Sequence, residues 1–125
     1  MIARLDKVTV YVGSQEDAKA FWINKIGFVV TYEQAMGPGM TWLEVAPAKG
    51  QTSLVLYPKK SMEAQNPAMV AHPSVIFGAW DIEKTWTEYK SKGVDLDEIQ
   101  KMPYGSMFFF RDPDKNRYVV RQIGA

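Results

Sequence analysis

Cysteine is absent from the 125 residues, and histidine occurs once, as His72. The first absence excludes disulfides, thiolate zinc sites, iron–sulfur ligation and a cysteine nucleophile together. The second excludes a metal site built on two histidines of one chain, and a lone histidine in a loop supports no Ser–His–Asp arrangement. An excess of one charge is missing too: 15 Lys and Arg stand against 14 Asp and Glu, a net charge of +1, which gives no basic face of nucleic-acid strength. No run approaches the roughly 18 apolar residues that cross a bilayer. Asp6 and Lys7 interrupt the apolar stretch that a secretory leader would need. Neither a nucleic acid nor a membrane is expected as a partner, and the cytoplasm is the expected address. Gly37-Pro38-Gly39 lacks the strand-to-helix setting of a phosphate-cradling loop.

What is present is an ordinary globular mixture, 46% hydrophobic, 13% aromatic and 23% charged, at a length that suits one domain over residues 1–125. Residues 5–12 alternate with period two, Val8, Val10 and Val12 on one side and Lys7, Thr9 and Tyr11 on the other. Ser14 then stands as an N-cap before Glu16 and Asp17. Ala18, Phe21, Trp22 and Ile26 follow at helical spacing up to Gly27, which predicts a helix over 15–26. Residues 28–33, 40–46 and 52–57 read as strands, with a turn or flexible loop over 35–39 and a hairpin loop over 47–50. Residues 58–73 show no period and read as a linker or mobile flap. Residues 74–79 form a further strand. Asp81 caps a helix with the stripe Ile82, Trp86 and Tyr89, closed by Gly93. Residues 94–99, 107–111 and 117–123 are the last strands, the final two joined by the turn Asp112-Pro113-Asp114-Lys115-Asn116.

In order, the elements are strand, helix, three strands, linker, strand, helix, three strands. That is an internal repeat in pattern, not in letters. An offset of 67 residues superposes Val8, Val10 and Val12 on Val75, Phe77 and Ala79, and Ser14 on Asp81. Each half buries one sheet face under its own helix and leaves the other face open. The predicted fold is α+β: two tandem βαβββ modules, about 4–58 and 74–123 with a linker over 59–73, forming a curved eight-stranded mixed sheet with both helices outside and the inner face as a cup.

This order, with LDKVTVYVGSQEDAKAFW at the start and FFFRDPDKNRYVVRQ at the end, resembles the vicinal oxygen chelate superfamily of glyoxalases, bleomycin-resistance proteins and extradiol dioxygenases. The second segment is similar to the family's strand–turn–strand ending with a DPDGN-like turn. Lys115 stands where that turn usually has glycine, and Asn116 can tolerate a positive φ. The resemblance implies a scaffold, not a reaction. It also implies where a divalent metal would be held, by His, Gln and Glu side chains. Those positions fall on Lys7, Val55, Ser74 and Val119. Lysine repels a metal and valine offers no lone pair. A shift of one residue moves to the opposite sheet face, where the neighbours are no better. No metal and no cofactor is expected.

Candidate ligand-binding residues follow, each with its plainer alternative. Lys7 is an anchor for an anion or a low-pKa amine, or else a lysine whose stem lines the sheet while its amine reaches water. Arg117 and Arg121 flank Val119 at i±2 and share its face. They suit a carboxylate or phosphate, or they pair with carboxylates of neighbouring strands. Trp42, Tyr57, Tyr104 and Phe108 belong to an aromatic set, with Trp80, Phe109, Phe110 and several methionines, that lines a binding surface or packs as core and dimer contact. Phe108 and Phe110 share one face and Phe109 takes the other. His72 is a pocket hydrogen-bonder beside Ser74, or an exposed loop residue. Glu44 is a general base if its acidity is weakened, or pairs with a Lys or Arg. Trp22 and Trp86 read as core, and Asp95 and Asp97 as solvated surface.

The implied function is metal-independent binding of a small molecule, sequestering an aromatic or anionic compound as the bleomycin-resistance members do, in a homodimer. The alternative is a glyoxalase-like lyase or isomerase, or a dioxygenase-type enzyme, with a non-standard site. A third class is a subunit or sensor whose fold mediates dimer contacts alone.

Overall fold

The structure, a computed structural model, describes residues 1–124. It divides into two compact units that meet in the chain between Pro73 and Ser74. No helix among the described residues is long and apolar enough to cross a membrane.

The first unit opens with β1 (Lys7–Val12). Ser14 then caps α1 (Gln15–Ala20), its Oγ accepting from the Asp17 N–H at 3.1 Å. The helix continues over Phe21–Ile26 with the wider π-type winding and ends at Gly27, whose φ of 90° suits glycine. The wider turn carries Phe21, Trp22 and Ile26 onto the buried side, where Trp22 packs on Phe28 with ring centroids 5.2 Å apart. β2 (Val29–Gly37), β3 (Met40–Ala46) and β4 (Ser53–Pro58) complete a four-stranded sheet in the order β1-β4-β3-β2, with β1 parallel to β4. Val10, Val12, Leu43, Val45, Leu54 and Leu56 form its helix-side core. The Gln15 amide pins the helix to the sheet by donating to the carbonyls of Thr41 (2.6 Å) and Leu56 (2.8 Å). β2 outruns the expected strand because it pairs with β3 as far as Gly37, which reduces the expected loop to a tight turn at 38–39.

Residues 59–73 are not the structureless linker expected from their composition. They hold α2 (Lys59–Gln65) and a short 3-10 turn, Pro67–Met69. Neither buries a residue, so no apolar stripe announced them.

The second unit repeats the order. It contains β5 (Ile76–Ala79), α3 (Ile82–Ser91), β6 (Asp95–Leu96), β7 (Gln100–Met102), β8 (Gly105–Arg111) and β9 (Arg117–Gln122). Its sheet runs β5-β9-β8-β6, with β7 also paired to β8 and β5 parallel to β9. Of the segment read as one strand over 94–99 only Asp95–Leu96 is a strand, and β7, a further short strand on the same partner, follows it at Gln100–Met102. The fold is α+β, as expected, but its strands form sheets of four and five rather than one of eight.

α3 is capped by Asp81, whose Oδ1 accepts from the Lys84 N–H at 3.1 Å. Its Tyr89 meets Phe108 and Phe110 edge-on, while Phe110 and Tyr118 stack with centroids 5.1 Å apart. Trp86, expected in the core, is only half-buried: its indole N–H donates to the Asp97 carbonyl and Lys90 lies over its ring. Asp95 and Asp97 are not merely solvated, for both accept from the Arg111 guanidinium.

Burial pushes the Tyr89 phenol up to about 12, with the Glu88 charge adding. It pushes Tyr118 up as well, again through burial first and then the Asp112 charge. An unfolded tyrosine ionises near pH 10. These groups therefore contribute their full stability below pH 10 and lose it as pH rises through their folded values, Tyr89 between about pH 10 and 12. The expected result is a fall in unfolding free energy of about 1.4 kcal/mol per group per pH unit above pH 10. Urea unfolding at pH 9 and 11 checks it. Tyr89→Phe should flatten part of the slope, and an unchanged midpoint at pH 11 would contradict the assignment.

Candidate functional site

In each unit one sheet face packs under its helix, and strand alternation sends the remaining side chains to the opposite, open face. Register decides which residues meet there. In the first unit Lys7 lies opposite Ser53, Thr9 opposite Val55 and Tyr11 opposite Tyr57, while Glu44 lies opposite Val55 on the other side of β4. Lys7 and Glu44, 37 residues apart in sequence, thereby meet across the sheet with Nζ 2.9 Å from Oε1. The Trp42 indole N–H donates to the second oxygen, Oε2, at 2.7 Å. Both oxygens of the buried Glu44 carboxylate are thus engaged. The hydrogen bond to Glu44 raises the Lys7 ammonium above its ordinary range, against a smaller desolvation effect. Lys7 is therefore a paired ammonium and not the low-pKa amine that its position inside a strand allowed.

Beside this pair the face carries a row of rings. Tyr57 meets Tyr11 and Trp42 edge-on, each at 6.2 Å between centroids. The Tyr57 hydroxyl accepts from the Gln65 amide of α2 at 3.1 Å, so the helix the sequence did not announce orients one ring of the row.

The open face of the second sheet is built by β5, β8 and β9. Ile76 lies opposite Val119, and Val119 lies opposite Phe109. Arg117 does not join Arg121. Its guanidinium carbon sits 4.3 Å above the Phe109 ring. Arg121 lines a cavity of about 250 Å³ with Ile76, Tyr104, Ser106, Met107 and Val119. Tyr104 stands at the turn between β7 and β8 and is 80% exposed.

The structure thus brings Lys7, Trp42 and Tyr57 together on one face and Tyr104 and Arg121 together at one cavity. Ser74 is exposed just before β5, and His72 is half-buried two residues ahead of it. Phe108 is a correction. It is fully buried under α3, in contact with Tyr89, and offers no surface to a ligand. Tyr11 and Ile76 escaped the sequence reading, although each follows from the alternation of its own strand: Tyr11 with Lys7, Ile76 with Ser74.

The metal that the resemblance implies fails a test of donor chemistry. Lys7 brings an ammonium already bonded to the nearby carboxylate, and Val55 and Val119 bring hydrocarbon. Among the described residues no three His, Cys, Asp or Glu side chains gather where they could hold an ion. The residues present do not fit a divalent metal.

A family model described as Glyoxalase/Bleomycin resistance protein/Dioxygenase superfamily matches residues 4–120. The Bacillus subtilis (strain 168) protein YetH is 37% identical over 98% of this chain and 100% of its own length. Among solved structures, TnmS3, described as an antibiotic binding protein from Streptomyces sp. CB03234, superposes with a TM-score of 0.82 at 29% identity, covering 98% of each chain. A glyoxalase/bleomycin resistance protein from the same organism gives a TM-score of 0.77 at 29% identity, over 95% of this chain and 100% of the other.

Proposed function

The chain belongs to the glyoxalase/bleomycin resistance protein/dioxygenase superfamily, and on that premise we propose that it is a metal-independent small-molecule-binding protein that sequesters an aromatic or anionic compound without transforming it. The observation that carries this reading is the engaged Glu44 carboxylate. Each of its oxygens already accepts a hydrogen bond, from Lys7 or from Trp42, and the ammonium held beside it disfavours a metal cation at that point. What remains available on that face is stacking surface, the Tyr11, Tyr57 and Trp42 rings, with their edges fixed by contact with one another. The likeness to TnmS3, an antibiotic binding protein, supports the same class of function.

The protein acts as a homodimer in this reading. β2 supports it as an exposed edge strand that shows Val29, Tyr32 and Met36 to solvent, a kind of edge that natural proteins cover or pair.

Two measurements test the proposal. Elemental analysis after incubation with Ni²⁺, Zn²⁺, Mn²⁺ or Fe²⁺ should find no stoichiometric metal and no rise in Tm. Screening planar aromatic compounds by tryptophan fluorescence should yield binders that are recovered unchanged, with affinity about five- to tenfold weaker in Trp42→Ala. One tightly held metal per chain, or turnover of a bound compound, would overturn it.

A further inference from the structure

The cations of the two open faces differ in what they have left to bind. Lys7 is neutralised by Glu44 at 2.9 Å, with Asp6 at 3.6 Å behind it. Arg111 is neutralised by Asp95 and Asp97. Arg117 spends its guanidinium face on Phe109. Of these four only the Arg121 side chain makes no hydrogen bond, ion pair or ring contact with a described residue, and it is the one that lines the 250 Å³ cavity of the second unit. The other walls are apolar: Ile76, Met107 and Val119 from three neighbouring strands, with the Tyr104 ring exposed at the rim. Ser106 adds one hydroxyl. A planar guanidinium presents paired N–H donors that match a carboxylate in bidentate fashion. The volume lies a little below the roughly 300–1,000 Å³ of sites for drug-sized ligands, so the occupant is a one- or two-ring group rather than a large polycycle.

We propose that this cavity is an anion-selective subsite: it takes the carboxylate-bearing aromatic end of a ligand, with Arg121 on the carboxylate and Ile76, Val119 and Tyr104 against the ring. The inference rests on the reading of the chain as a small-molecule binder and names which ligand class it selects and where. It also assigns the anion away from Lys7, the position that the strand pattern first suggested.

The test uses the full chain and two probes of one shape, 2-naphthoate and its neutral analogue 2-naphthamide, titrated against isotopically labelled protein with amide-shift mapping. Naphthoate should bind at least tenfold tighter than naphthamide at low salt, shift the amides of Ile76, Tyr104 and Val119, and weaken as salt is added. Arg121→Gln keeps a strand-compatible side chain at an exposed position. It should bring the naphthoate-to-naphthamide affinity ratio down to about one and remove the salt dependence of naphthoate binding. Equal binding of the two probes by the native chain would overturn the inference, as would an unchanged ratio in Arg121→Gln, or no naphthoate binding at millimolar concentration. Naphthoate that shifts the Lys7 and Trp42 amides instead would overturn the inference and leave the binding function standing. Only if no aromatic compound, charged or neutral, shifted any amide would the binding function fall with it.

Discussion

Phe108→Ala is expected to lower the unfolding free energy by about 3–5 kcal/mol, and Phe109→Ala, one residue along, by only about 1–2 kcal/mol. The contrast follows from the pleat. Phe108 is fully buried and packs edge-on against Tyr89 of α3, so its removal leaves a cavity in a region of close packing. Phe109 points to the open face, where it is half-buried and loses mainly its contact with the Arg117 guanidinium. Urea unfolding of the two variants measures both costs under one set of conditions. Equal costs would mean that the faces of β8 are assigned wrongly, and the cavity beside Arg121 would then lose its walls, since Met107 and Val119 share the face of Phe109.

The same run of three phenylalanines shows where sequence stops informing. Alternation sorts Phe108 and Phe110 from Phe109, but three rings of equal hydrophobicity do not say which set lies under the helix. Tyr89 decides that, from a helix about twenty residues away. By contrast, Val8, Val10 and Val12 alternate with Lys7, Thr9 and Tyr11, and so the faces of β1 were legible at once. The repeat was legible for the same reason, since period-two and helical segments recur in the same order. The Lys7–Glu44 bond was not. Both residues invited attention as charges inside strands, but only the parallel register of β1 on β4, with the antiparallel register of β3 on β4, carries them to one point. Arg117 and Arg121 share a face by alternation, which suits either a joint anion site or pairing with carboxylates of neighbouring strands. The structure divides them, one over Phe109 and one at the cavity, through neighbours that lie on other strands.

Asp112→Ala is expected to cost about 2–5 kcal/mol and to disturb the open face of the second sheet without touching it. Asp112 is 4% exposed and organises the turn between β8 and β9. Its Oδ1 accepts from the N–H groups of Asp114 and Asn116, both at 2.9 Å. Its Oδ2 accepts from the Asn116 amide at 3.1 Å and the Tyr118 hydroxyl at 2.8 Å. The Tyr118 ring is fully buried, so alanine at 112 removes the acceptor that its hydroxyl donates to, and that alone costs about 1–3 kcal/mol. The rest comes from the turn. Lys115 holds a φ of 68°, a left-handed conformation that costs a side-chain-bearing residue about 1–2 kcal/mol, and the Asp112 bonds on either side of it hold it there. It is Lys115 itself, and not Asn116, that takes the conformation for which glycine is usual. A double-mutant cycle with Tyr118→Phe separates the two parts. Asp112→Ala should cost less in the Tyr118→Phe background, by about 1–3 kcal/mol, because no buried hydroxyl then loses its Asp112 acceptor. Equal costs in both backgrounds would show that the bond to Tyr118 contributes nothing and that the turn accounts for the whole effect. The turn also bears on binding. A slip of one residue between β8 and β9 reverses which side chains face the cavity, which would send Val119 and Arg121 under α3 and bring Tyr118 and Val120 out. Amide shifts of Val119 and Arg121 in a folded Asp112→Asn variant, which keeps one carbonyl acceptor, report whether the register survives the loss of the charge.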